Sequence, residues 1–180
     1  MGKTLCFTGH RPDKLGGYEG DKALAVQIPL QEKLTDIVRR AIEGGFTTFI
    51  SGGALGIDQM AIESVLHYKR HGCAIKLIIA KPFPGQASKW PSHVQRKFEN
   101  YCTQADEVIN VSPDPYEREK MQIRNEWMVD RSDAVVAVYN GGRGGTGNCV
   151  AYARSKYKPV LVMNPYTLVE RWEMNKKERW

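Results

Sequence analysis

Phe46-Thr47-Thr48-Phe49-Ile50 runs directly into Ser51-Gly52-Gly53-Ala54-Leu55-Gly56-Ile57-Asp58, after which Ile57, Ala61 and Val65 share one helical face. An aromatic and β-branched run, a glycine-rich turn and then a helical period form a strand–loop–helix unit of a parallel α/β sheet. Glycine lacks Cβ, so such a loop adopts positive φ and lets a phosphate or ribose approach the main chain. The helix behind it offers unpaired N–H groups and a partial positive charge.

The same device occurs twice more. Thr8-Gly9-His10-Arg11-Pro12 follows the apolar run at 4–7, and Gly141-Gly142-Arg143-Gly144-Gly145-Thr146 follows the run at 134–139. Further strands are predicted at 75–80, 107–111 and 159–163. Helices are predicted from near Pro29 to the Gly44-Gly45 stop, from 57 to His71-Gly72, and at 94–102, 117–131 and 146–156. Pro29 suits a first helical turn, and Leu30, Leu34, Ile37, Val38 and Ala41 follow the spacing of one buried face. Strands alternating with helices require right-handed crossovers. The fold class is therefore α/β, a Rossmann-like three-layer sandwich with a mainly parallel sheet. All three loops then open on the carboxyl edge of that sheet, where such folds bind ligands. Residues 1–165 read as one domain, and the tail 166–180, with Trp172, Met174 and Trp180, as a terminal helix, docked or used for self-association.

The 180 residues suffice for a core that needs no covalent staple. Cys6, Cys73, Cys102 and Cys149 form no CxxC pair, which excludes the usual zinc spacing and a disulfide framework and points to reduced thiols in the cytoplasm. Cys6 and Cys73 sit in apolar contexts, while Cys149, just after the third glycine loop, is placed for exposure to a ligand. The start goes straight into strand-like sequence, so no signal peptide is expected, and no run is long enough for a membrane span. A net charge of +6 favours anionic partners without choosing between a nucleotide and a nucleic acid. The motifs call for neither a metal nor a cofactor.

Each loop has a chemical and a structural reading. Thr8, Gly9, His10 and Arg11 either donate to an anion or tie down the long connection to Gly20. Ser51, Gly52, Gly53 and Gly56 suit an anion cradle, and Asp58 caps the helix, reads sugar hydroxyls, or does both. No Gly-Lys-Ser/Thr follows, and the GxGxxG spacing is absent, so this is neither a Walker loop nor a dinucleotide fingerprint. Gly141, Gly142, Gly144, Gly145, Thr146 and Asn148 supply more glycine and more donors than a simple turn demands. A fourth connection, 81–91, carries Phe83, Gln86, Lys89 and Trp90; an aromatic there either stacks on a base or packs the loop on the core.

In order and spacing, Thr8-Gly9-His10-Arg11-Pro12, the 51–58 loop, Arg124-Asn125-Glu126-Trp127-Met128-Val129-Asp130 and Gly144-Gly145-Thr146 resemble the SLOG superfamily. The nearest match is its YpsA/YoqJ-like branch of Gram-positive bacteria and their phages. The resemblance implies a nucleotide-binding domain related to the DNA-processing protein DprA and to the LOG phosphoribohydrolases, and it makes a homodimer an expected assembly. LOG enzymes carry Met-x-x-Arg before a strand and Pro-Gly-Gly-x-Gly-Thr-x-x-Glu after it, with the Arg and the final Glu catalytic. Met121-Gln122-Ile123-Arg124 matches the first part. In the second the proline is absent, and Cys149 stands three residues after Thr146 where the glutamate belongs. Glycosidic cleavage needs a carboxylate beside the positive charge that builds on the ribose, and a neutral thiol supplies none.

The reading is therefore a phosphorylated nucleotide, or a small molecule derived from one such as a signalling nucleotide, bound by the residues of the three loops with Arg124. One alternative is a nucleoside monophosphate N-glycosidase using Arg124 with Asp58 or Glu126. The other is single-stranded DNA binding of the DprA kind.

Overall fold

In a computed structural model of the chain, which describes residues 2–173, seven strands form one sheet. The strands are β1 (Lys3–Gly9), β2 (Phe46–Ser51), β3 (Lys76–Lys81), β4 (Glu107–Asn110), β5 (Ala134–Val138), β6 (Val160–Met163) and β7 (Glu170–Glu173). The helices are α1 (Asp21–Glu43), α2 (Ile57–Arg70), α3 (Ser92–Gln104), α4 (Arg118–Asp130) and α5 (Gly145–Ser155). The strand order is β4-β3-β2-β1-β5-β6-β7, parallel except for the β6–β7 pair. This is the α/β architecture expected from the alternation of periods.

Both faces of the central strands are buried, so these strands are almost continuously apolar, as a sheet covered on two sides requires. Successive side chains go to opposite layers. Leu5, Phe7, Phe49, Ile79, Val136 and Val138 join the core that contains residues of α1, α2 and α3. Cys6, Ile50, Ala80, Val135 and Ala137 join the core under α4 and α5.

Two elements differ from their sequence expectation. Helix α1 starts at Asp21, eight residues before Pro29, and runs through the proline. Tertiary contacts override the break: Ala23 is buried, and Gln27 Nε2 donates to the carbonyls of Leu15 (3.2 Å) and Gly17 (2.8 Å), docking the early turns on the preceding loop. The second is the tail. Residues 170–173 are strand, not helix, and Met174 and Trp180 lie outside the described residues. Asn164 Oδ1 accepts from the N–H groups of Tyr166 (2.9 Å) and Thr167 (3.1 Å), and Leu168 takes φ of 58°, which turns the chain back along β6. Glu170 then pairs with Lys33 (2.8 Å) and Arg40 (2.7 Å) of α1.

The order of strands reverses at β1: successive crossovers run outward to β4, and the chain then returns to add β5 on the other side. Carboxyl-end loops diverge at such a switch point and leave a crevice. Here the loops concerned follow β1 and β5, with the β2–α2 loop beside them.

Candidate ligand site at the switch point

A cavity of about 270 Å³ lies in this crevice. Its walls are Thr8 and Gly9 at the end of β1, His10, Arg11, Asp13 and Lys14 after it, Ala54 and Asp58 from the β2–α2 segment, Met121, Arg124 and Asn125 of α4, and Gly145 and Thr146 at the start of α5. Thus four segments distant in sequence share one hollow. Arg11, Lys14 and Arg124 outnumber Asp13 and Asp58 in its walls, so it favours an anion.

Arg124 and Asp58 form its floor. Both are nearly buried, at 5% and 6% exposure, with Nη1 3.7 Å from Oδ2. The same Nη1 donates to the Gly52 carbonyl (2.6 Å), and Nε donates to Asn125 Oδ1 (3.0 Å). Burial raises the Asp58 carboxyl above its ordinary value, opposed by the Arg124 charge and the Ala54 N–H. Burial likewise lowers the Arg124 guanidinium, opposed by Asp58. Guanidinium nevertheless stays protonated, so the floor is a buried cation partly neutralised by the carboxylate beside it.

The β2–α2 loop serves this pair more than it offers its own backbone. A Cβ on Gly52 would stand 1.6 Å from Arg124 Nη1, so Arg124 crosses that residue only because it is glycine. Gly53 has φ of 68°, and its Cβ would meet Phe98 at 2.6 Å. The Gly53 N–H donates to Ser51 Oγ (3.2 Å) and the Ala54 N–H to Asp58 Oδ2 (3.3 Å), while Ser51 Oγ donates to the Asp58 carbonyl (2.8 Å). Gly56 packs against the His10 carbonyl, which accepts from the Ile57 N–H (3.1 Å). The expected backbone cradle at Ser51, Gly52, Gly53 and Gly56 is thus largely occupied by its own neighbours and stands behind the cavity wall.

Helix α5, like the other helices, starts without a side-chain cap, and Asn148 is the first residue whose N–H finds an intrahelical acceptor, at Gly144 O (2.9 Å). The preceding amides belong to Gly145, Thr146 and Gly147, and the first two of these residues line the cavity. Gly141, Gly142, Gly144 and Asn148 lie outside its walls. Gly142 donates to Asn140 Oδ1 (3.3 Å), which also sits 3.1 Å from His10 Nε2 and so joins the first and third loops. His10 is 6% exposed, and its desolvation holds it below its ordinary value of 6.5.

The remaining expectations separate. Glu126 is absent from the walls and accepts from Gln122 on its own helix (3.0 Å). Cys149, expected within reach of a ligand, is fully buried; desolvation pushes its thiol up to about 11, so it stays protonated. Trp90 packs edge-on against Phe98 with centroids 5.3 Å apart, as the loop-packing reading requires. Asp13, Lys14 and Asn125 were not singled out from sequence as site residues. Asn125 was legible only as the neighbour of Arg124; nothing local marked Asp13 or Lys14. Among the described residues, no group of three or more His, Cys, Asp or Glu side chains is arranged to hold a metal ion, and no helix is long and apolar enough to cross a membrane.

Residues 5–174 match the model of the YspA SLOG family. The chain belongs to that family. It is 38% identical over 142 residues to the SPbeta prophage-derived protein YoqJ of Bacillus subtilis, covering 72% of this chain and 83% of that one. It is 26% identical to a UPF0398 protein of Bacillus thuringiensis, covering 99% and 97%. Among solved structures it is similar to DNA processing protein A from Helicobacter pylori, described by its single-stranded DNA binding mode, with a TM-score of 0.63 at 18% identity. The Streptococcus pneumoniae DprA structure matches with a TM-score of 0.60 at 15% identity. Each match covers 89% of this chain, which spans 65% and 50% of those two chains respectively. At such identities the likeness is one of fold.

Proposed function

We propose that this protein binds a phosphorylated nucleotide or a nucleotide-derived small molecule, with its phosphate between the α5 amides and Arg124. The observation that carries the reading is the meeting of Thr8–Arg11, Arg124 and the uncapped start of α5 around one hollow in which cations outnumber carboxylates. Helix N-termini and buried guanidinium groups are independent anion sites, and here they face one space. Asp58 shares these walls, and with its Oδ2 turned to the Ala54 N–H and Arg124, its Oδ1 is the oxygen left to accept from a sugar hydroxyl.

Binding is better supported than hydrolysis. Asp58 is engaged with Arg124 and the Ala54 N–H, Glu126 is outside the walls, and Cys149 is a buried, protonated thiol. A single-stranded nucleic acid is the second reading, prompted by the DprA fold and the net charge of +6. Its phosphates would load many surface cations, giving affinity that falls steeply with salt, whereas one enclosed phosphate gives a shallow dependence.

The test is calorimetric titration of ribose 5-phosphate and nucleoside mono- and diphosphates into the wild-type protein and Gly145→Asp. Position 145 is open to a Cβ, so the variant places a carboxylate at the helix start without a clash. Binding by the wild type and loss of tenfold or more in the variant supports the reading. Equal affinity in both overturns the placement of the phosphate.

A further inference from the structure

Beside the anion cavity lies a second hollow of about 360 Å³, which shares Arg11, Ala54 and Met121 with it. Its chemistry is different. Tyr18, Phe83, Trp90 and Tyr116 contribute aromatic rings, and Gln86 reaches it from the β3–α3 connection. Trp90 is committed to an edge contact with Phe98; Tyr116 rests edge-on against Phe83 but stays 55% exposed, and Tyr18 is 64% exposed. Exposed rings facing a hollow are free to cover a flat ligand.

Gln86 is the informative residue. It is 9% exposed, and its Nε2 donates to the Gly52 carbonyl at 3.0 Å. That bond fixes which end of the amide is oxygen, because the flipped amide would set two acceptors against each other. Oε1 is the one buried side-chain polar atom without a hydrogen-bond partner among the described residues. A buried acceptor left unmade is costly, and in a native protein it calls for an explanation such as a donor that arrives from outside.

We infer that this hollow is a nucleobase subsite, in which Gln86 Oε1 accepts a hydrogen bond from an N–H of the base while an exposed tyrosine ring covers the base face. The inference rests on the nucleotide reading above and assigns the end of the ligand away from the phosphate. Oε1 is shielded from solvent by its surroundings, so a donor reaches it as the exposed side chains at the rim of the hollow rearrange. The same carbonyl of Gly52 accepts from Gln86 and from Arg124, so a single peptide group aligns the base acceptor with the anion floor.

The experiment compares ribose 5-phosphate; AMP, GMP, CMP and UMP; and the 5′-monophosphates of purine riboside and 2-pyrimidinone riboside, whose bases carry no N–H. Each is titrated into wild type, Gln86→Leu and Tyr116→Ala. The expected result is that the best natural nucleotide binds about tenfold tighter than its donor-free analogue, and that Gln86→Leu erases this preference while leaving ribose 5-phosphate unchanged. Tyr116→Ala, which removes a ring that is 55% exposed, weakens nucleotides about tenfold and spares ribose 5-phosphate. A preference that survives Gln86→Leu, or nucleotides that bind no tighter than ribose 5-phosphate, overturns the subsite while the anion site stands. Absence of binding by every probe overturns both.

Discussion

Gly52 shows how a residue can be noticed for one reason and required for another. A phosphate cradle accounts for it in the sequence, yet in the fold it is the gap through which Arg124 passes to meet Asp58. The partner lies 72 positions away, so no local pattern announces the crossing. Gly52→Ala should force Arg124 aside or strain the loop, at about 2–3 kcal/mol for an overpacked site. Thermal denaturation checks this: for a domain of this size the midpoint should fall by roughly 4–12 °C. An unchanged midpoint would mean that Arg124 has another route.

His10 gives a pH dependence whose sign follows from its environment. Desolvation lowers its folded value below 6.5, so as pH falls through that value the unfolded chain takes up the proton first and folding stability declines. An anion in the same cavity reverses the balance by favouring the imidazolium. Affinity for ribose 5-phosphate should therefore rise between about pH 8 and 6, with proton uptake visible as buffer-dependent calorimetric enthalpy. His10→Gln should flatten that slope; an equally steep slope in the variant would assign the proton to the phosphate alone.

At the scale of elements, helices and strands with strong periodicity were legible, and those fixed by tertiary contact were not. Pro29 suggests a helix start by its chemistry, but Gln27 anchoring the earlier turns to Leu15 and Gly17 extends α1 through it. Residues 170–173 carry charge and aromatics compatible with a helix, whereas the turn at Asn164 and the Lys33 and Arg40 pairs with Glu170 select a strand. Helix α5 was legible from its glycines, and its open start carries a separable prediction. An aspartate at position 145 complements the helix dipole by about 0.3–1 kcal/mol, so Gly145→Asp should hold or raise the denaturation midpoint while binding is lost. Loss of binding together with a fallen midpoint would trace the defect to unfolding instead.

The whole molecule explains why scattered motifs made sense together. Loops after β1 and β5 flank the strand-order reversal, and α4 brings Arg124 over the same gap, so residues near positions 10, 58, 124 and 145 become neighbours through topology alone. The parallel sheet and its carboxyl-edge crevice follow from alternating periods, which is why the architecture was readable. Which backbone groups stay open within the crevice depends on side-chain contacts between remote segments, as at Ser51 with Asp58 or Asn140 with His10, and those were not.

The meeting of these segments on one anion is tested most directly by titrating ribose 5-phosphate into ¹⁵N-labelled protein and following the backbone amides. The account expects the amides of Gly9, His10, Arg11, Gly145, Thr146 and Gly147 to shift together along one saturation curve. Shifts confined to a single loop, or loops that saturate at different concentrations, would contradict it.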